Sequence, residues 1–206
     1  MDRIMTNISV LVSGRGTNLQ SVIDAIENGD ISGAKIVAVI SDKKEAYALT
    51  RAKNHNIPGI FADPKSFSSR EAYDDCLLDI LKENKTDLVL LAGYLRIITG
   101  RLTLAYENKM INIHPSLLPA FPGLHAQKQA LEYGVKVSGC TVHLVEPALD
   151  GGPVILQKTV PVLPGDTEET LAARILIEEN KAYPEAVKLF VENKLRINGR
   201  NVTILE

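Results

Sequence analysis

Apolar positions alternate along the chain between short, near-continuous runs and helical spacing. Ile8 to Val12 is a run rich in β-branched residues that stops at Ser13-Gly14-Arg15-Gly16, the form of a buried strand. Beyond the glycines, Leu19, Val22, Ile23 and Ile26 recur at the spacing that stripes one face of a helix. The alternation continues. Ile36 to Ile40 reads as a second buried strand, about Ala46 to Lys53 as a helix, and Ile57 to Ala62 as a further short strand. Ser68 with Glu71 forms a capping-box pattern. Behind it Tyr73, Cys76, Leu77, Ile80 and Leu81 make one apolar face, so Cys76 is expected in the core. Asp87 to Ala92 is a strongly apolar strand ending at Gly93, and Met110 to His114 is another, stopped by Pro115.

The second half changes character. Val137 to Val145 and Val154 to Val162 are longer, partly polar strands around the turn Asp150-Gly151-Gly152-Pro153. Thr167 to Asn193 is a long amphipathic helix with a break expected near Pro184. Asn198-Gly199 marks a hairpin between Leu195–Ile197 and Val202–Leu205. Repeated strand–helix alternation with near-continuous apolar strands predicts an α/β fold. Its Rossmann-like, mostly parallel sheet carries helices on both faces and becomes mixed in the C-terminal half. The expected organisation is a single domain over residues 1–206.

Composition narrows the class without changing that picture. In 206 residues, 45% are hydrophobic and 23% charged, with a formal net charge of −2. That excludes a disordered or collagenous chain and gives no basic excess for bulk nucleic-acid binding. The two cysteines, Cys76 and Cys140, are far apart and read as buried, reduced thiols, and no Cys/His cluster offers a metal site. MDRIMTNISVLVSG lacks the parts of a signal peptide, and the apolar run around Leu88 to Leu95 is too short to span a bilayer. A cytoplasmic protein without a membrane partner is expected.

Candidate chemistry lies at three places. The turn Ser13–Asn18 sits between a strand and a helix, where glycines allow close backbone approach and free N–H groups meet an anion. It is either a phosphate site or a plain tight turn with a Thr or Asn cap. It is neither a dinucleotide fingerprint, since Leu19 stands at the third glycine position, nor a Walker loop. In Asn112-Ile113-His114-Pro115, strand alternation projects Asn112 and His114 together at the end of a strand. An amide beside an imidazole can polarise a carbonyl and handle a proton. Leu149-Asp150-Gly151-Gly152-Pro153 is a turn that could also carry a carboxylate over a site. His125 and His143 read as structural or rim residues.

SGRGTNLQ at 13–20, SREAYD at 69–74, LAGYLRI at 91–97 and NIHPSLLPAFPGLHA at 112–126 carry a resemblance, together with GCTVHLVEPALDGGPVILQ at 139–157 and the EEN–YP region at 178–184. These segments resemble the glycinamide ribonucleotide formyltransferases, folate-dependent enzymes of purine biosynthesis. The resemblance implies a Rossmann-like N-terminal half that binds the phosphorylated substrate and a C-terminal half that binds folate. It implies transfer of a formyl group from 10-formyltetrahydrofolate to the amine of glycinamide ribonucleotide, with no metal. Matching positions make Gly16, Thr17 and Asn18 the phosphate binders and bring Glu179 to the glycinamide end. They place Arg70, Leu95, Arg96, Ile97, Ile98 and Asn112 at the folate site and make Asn112, His114 and Asp150 the catalytic group. One departure is Asn180, where a histidine commonly follows the glutamate.

The reaction asks for donors to a tetrahedral oxyanion, which Asn112 and His114 could supply, and for proton transfer, in which His114 could take part beside Asp150. Two related activities compete. A methionyl-tRNA formyltransferase carries an added RNA-binding domain, and a formyltetrahydrofolate deformylase an added N-terminal one. A non-catalytic ligand-binding module is the alternative of a different class.

Overall fold

The computed structural model describes residues 5–206; the segment read for a targeting signal begins in residues 1–4, outside the described residues. Seven strands form one sheet: β1 (Thr6–Val12), β2 (Ala34–Ser41), β3 (Gly59–Phe61), β4 (Leu88–Leu91), β5 (Met110–His114), β6 (Val137–Leu144) and β7 (Val154–Pro161). Their order is β3-β2-β1-β4-β5-β6-β7. The first five run parallel, and β6 runs antiparallel to both of its neighbours. The expected parallel sheet, mixed in its C-terminal part, is the one that forms. A separate hairpin pairs β8 (Leu195–Asn198) with β9 (Asn201–Ile204).

Among the described residues six α-helices cover the sheet: α1 (Thr17–Glu27), α2 (Tyr47–Asn54), α3 (Arg70–Glu83), α4 (Gly100–Ala105), α5 (Ala126–Tyr133) and α6 (Glu168–Val191). Strand alternation sorts the apolar residues into two cores. Val10 and Val12 of β1, Leu88 and Leu90 of β4, and Ile111 and Ile113 of β5 pack with α1 and α6 through Leu19, Val22, Leu171, Ile175 and Tyr183. Leu11, Val89, Leu91 and Met110 face the other way, against Tyr73, Leu77 and Leu81 of α3 and Leu102 of α4. The chain therefore leaves adjacent β1 and β4 toward opposite faces. That is a topological switch point, where open parallel sheets form a crevice beyond the strand ends.

Several local expectations are corrected. The α3 N-cap is Ser69, not Ser68: its hydroxyl accepts the Ala72 N–H at 3.1 Å, which leaves Glu71 one position short of a capping box. The buried face of α3 is Tyr73, Asp74, Leu77, Leu78 and Leu81, while Cys76 and Ile80 are half-buried. Asp74 turns inward because its carboxylate accepts the Thr99 N–H ahead of α4 at 2.7 Å. Both thiols are free; Cys140 is fully buried in β6, and burial pushes it up to about 12.

Pro184 lies inside α6 without breaking it. An interior proline costs about 3 kcal/mol, but Ala182, Tyr183, Ala186 and Val187 around it are all fully buried. The Tyr183 hydroxyl also donates to the carbonyls of Leu91 and Ile111, which pins the helix to β4 and β5. The polar residues of β6 are interior too, including Ser138, Thr141 and His143. Asn198 still pairs with Asn201, so the terminal turn is Gly199-Arg200, one residue later than expected. The short helices α4 and α5 have no counterpart in the apolar pattern.

Candidate active site

The first wall of the crevice is the turn after β1. Helix α1 begins at Thr17 with Gly16 as its N-cap, at φ 70° and ψ 35°, and no side chain caps it. The Thr or Asn cap of the plain-turn reading does not form, so the first N–H groups and the positive end of the helix stay available to an anion. Gly16 also packs tightly: a Cβ there would lie 2.7 Å from the Ala48 Cβ of α2. Gly16→Val therefore combines a left-handed backbone with an overlap, each worth about 1–3 kcal/mol. Its urea midpoint should fall clearly below that of the wild type, and an unchanged midpoint would contradict this packing.

Asn18 does not turn toward its own helix end. Its Nδ2 donates to Glu179 Oε2 of α6 at 2.9 Å, and both residues are buried. Asn18 Oδ1 is buried without a partner, an acceptor that a ligand N–H or hydroxyl would satisfy. Burial pushes the Glu179 carboxyl above its ordinary 4.5, against the Asn18 hydrogen bond and the nearby His114. The unfolded chain thus releases this proton first, and the folded state loses stability as pH rises above 4.5 through the raised value. Glu179→Gln keeps an acceptor for Asn18 and removes that penalty. Its Tm should exceed that of the wild type at neutral pH and converge with it as pH falls toward 4.5. Parallel Tm profiles would contradict the assignment.

The second wall is the end of β5. Asn112 and His114 share a face, as alternation requires, opposite Ile111 and Ile113. His114 is buried; its Nε2 lies 2.9 Å from the Phe121 carbonyl oxygen, so that nitrogen carries a proton and donates it. Its Nδ1 faces Asp150 Oδ2 at 3.5 Å. Asp150, at φ 49°, accepts the Gly123 N–H through Oδ2 at 2.7 Å. The carboxylate is thus docked against the β5 exit. Gly152 permits this approach, since a Cβ there would stand 1.8 Å from the Leu144 carbonyl oxygen. His143, opposite Asn112 on β6, sets its Nε2 3.2 Å from Asn112 Nδ2 and 3.9 Å from Asp150 Oδ1. It is interior to the group, not at its rim. Exposed His125 lies outside it, 3.5 Å from Glu168.

Beside Asn112 opens a cleft lined by Leu91, Tyr94, Arg96, Ile97, Ile98, His143, Val145 and the 146–150 loop. Its rim is tied to the first wall: Leu95 donates its N–H to Ser13 Oγ at 3.0 Å. Arg96 stacks its guanidinium over the Tyr73 ring, 5.2 Å from the centroid. Of the residues expected at the folate site, Arg96, Ile97, Ile98 and Asn112 line this cleft. Leu95 is an exposed neighbour, and Arg70 stands exposed at the start of α3, whose Tyr73 carries Arg96. Among the described residues no cluster of His, Cys, Asp and Glu could hold a metal ion.

Residues 6–187 match the family described as formyl transferase. The chain belongs to the formyl transferase family. Within that family, it is 45% identical over 193 residues to the phosphoribosylglycinamide formyltransferase of Haemophilus influenzae, covering 94% of this chain and 91% of that one. The Escherichia coli K12 protein of the same name is 43% identical over 192 residues, covering 93% and 90%. The crystal structure of glycinamide ribonucleotide transformylase 1 from Symbiobacterium toebii superposes with a TM-score of 0.96 at 52% identity, over 98% of this chain and 95% of that one. The formyltransferase fold therefore extends over nearly the whole chain.

Proposed function

We propose that the chain transfers the formyl group of 10-formyltetrahydrofolate to the amine of 5'-phosphoribosylglycinamide, giving formylglycinamide ribonucleotide and tetrahydrofolate in purine biosynthesis. The observation that carries this reading is the convergence of Asn112, His114 and Asp150 between an uncapped helix N-terminus and an apolar-walled cleft. Both substrates fit the groups present. The α1 N-terminus suits a phosphate. Buried Asn18 Oδ1 and Glu179 offer acceptors to the polar end of the same substrate. Leu91, Ile98 and Val145 offer the cleft apolar surface for a flat ring, with Arg96 at its edge.

The bound formyl-folate supplies an activated formyl carbon, and the rest of the work falls to side chains. Asn112 presents an amide N–H at the head of the cleft for the oxyanion that develops on amine attack. His114 gives Nε2–H to Phe121, so its proton exchange takes place at Nδ1, the nitrogen facing Asp150. Asp150 sets its carboxylate beside that nitrogen, 3.5 Å away, as the proton moves. In this reading residues 1–206 act as one domain. The N-terminal half supplies the phosphate turn and the 94–98 rim, and the C-terminal half supplies the 143–150 wall and Glu179. Among the described residues no helix is long and apolar enough to cross a membrane. The enzyme works on small molecules in the cytoplasm, without a nucleic-acid partner.

A steady-state assay of the purified protein with formyl-folate tests the reading. Tetrahydrofolate should appear only when the ribonucleotide is added, and the same amine without its phosphate should react poorly. Release of formate at the same rate without any amine would contradict it.

A further inference from the structure

One interior imidazole takes no part in the steps above. His143 is 2% exposed and sits in register opposite Asn112 across the β5–β6 pair. Its Nδ1 lies 2.8 Å from the Leu144 carbonyl oxygen, which only accepts, so Nδ1 carries the proton. Burial disfavours a second proton, which leaves Nε2 with a lone pair. Three groups bear on that ring besides Leu144: the Asp150 carboxylate at 3.9 Å, the His114 imidazole and the Asn112 amide at 3.2 Å. A carboxylate offers a lone pair no hydrogen, so the amide is the donor. An asparagine amide has two nearly isosteric orientations related by a half-turn about χ2. One sets Oδ1 against the Nε2 lone pair and is repelled; the other gives Nε2 a hydrogen bond and is held.

We infer that His143 is a positioning residue for Asn112: its Nε2 takes one amide N–H, fixing Asn112 with its nitrogen at the head of the cleft and leaving the second N–H for the substrate. The inference rests on Asn112 acting as the oxyanion donor. Without His143 the amide samples both orientations, and one of them presents an oxygen to a developing negative charge.

The test is a double-mutant cycle on kcat with His143→Phe and Asn112→Ala, with His143→Gln as the conservative variant. His143→Phe should lower kcat roughly 10- to 100-fold, a fraction of the loss expected for an absent donor. Both KM values should stay within about twofold, and in the Asn112→Ala background the same change should cost less than about twofold. His143→Gln can still accept the amide N–H and should recover most of kcat. Nitrogen-15 NMR of the wild-type protein should show His143 protonated at Nδ1 and bare at Nε2, a readout that does not depend on any variant folding. Equal losses in both backgrounds, or a proton on Nε2 of the neutral ring, would overturn the inference. A normal kcat for Asn112→Ala would overturn both this inference and the reading of Asn112. A large Asn112→Ala loss with an unchanged His143→Phe enzyme would overturn this inference alone.

Discussion

Replacing His114 with alanine is expected to lower kcat by about 10³ or more, exceeding the loss of a single oxyanion donor. The change removes the proposed proton carrier and with it the partner of Asp150 at 3.5 Å. It also strands the Phe121 carbonyl, which accepts from His114 Nε2 at 2.9 Å and belongs to the segment that supplies the Gly123 N–H to Asp150. The carboxylate therefore loses its orientation as well as its purpose. In the proposed reading the substrates bind elsewhere, at the α1 turn and the cleft, so their dissociation constants should change little. Single-turnover rates with calorimetric binding of each substrate separate the two effects. Near-normal turnover in this variant would remove His114 from the mechanism.

Asn112→Ala is expected to cost about 10²–10³ in kcat, the usual consequence of deleting one oxyanion donor. The site should not collapse around the gap. Asn112 is only half-buried, its side-chain amide bonds His143, and the strand is held by Ile111 and Ile113 on the other face. A drop in kcat without a matching drop in Tm is the expected signature. A loss confined to the KM for formyl-folate would make Asn112 a binding residue instead.

The layout of the site was legible in the sequence where local rules decide it. Alternation alone places Asn112 and His114 on one face, because Ile111 and Ile113 must reach the core. Near-continuous apolar runs such as Ile8–Val12 and Leu88–Ala92 give the parallel strands because strands covered on both faces have no polar side to mark them. What escaped was set by distant partners. Asn18 looks like a helix-cap residue, yet it spends its amide on Glu179, far along the chain. His143 reads as structural until strand register sets it opposite Asn112. Asp74 turns inward because Thr99 offers it a backbone N–H, while Cys76 stays half-buried. Pro184 is tolerated because its neighbours bury fully against the sheet.

If Asn112, His114 and Asp150 work as one unit in formyl transfer, His114 and Asp150 must be energetically coupled. Asp150→Asn keeps the shape of the side chain and removes its charge. Residues that act as a unit lose activity non-additively. The measurement is kcat for His114→Ala, Asp150→Asn and the pair, with the ribonucleotide as acceptor and both substrates saturating. The double variant should be no slower than about a few-fold below His114→Ala alone. Losses that multiply in full would contradict the account.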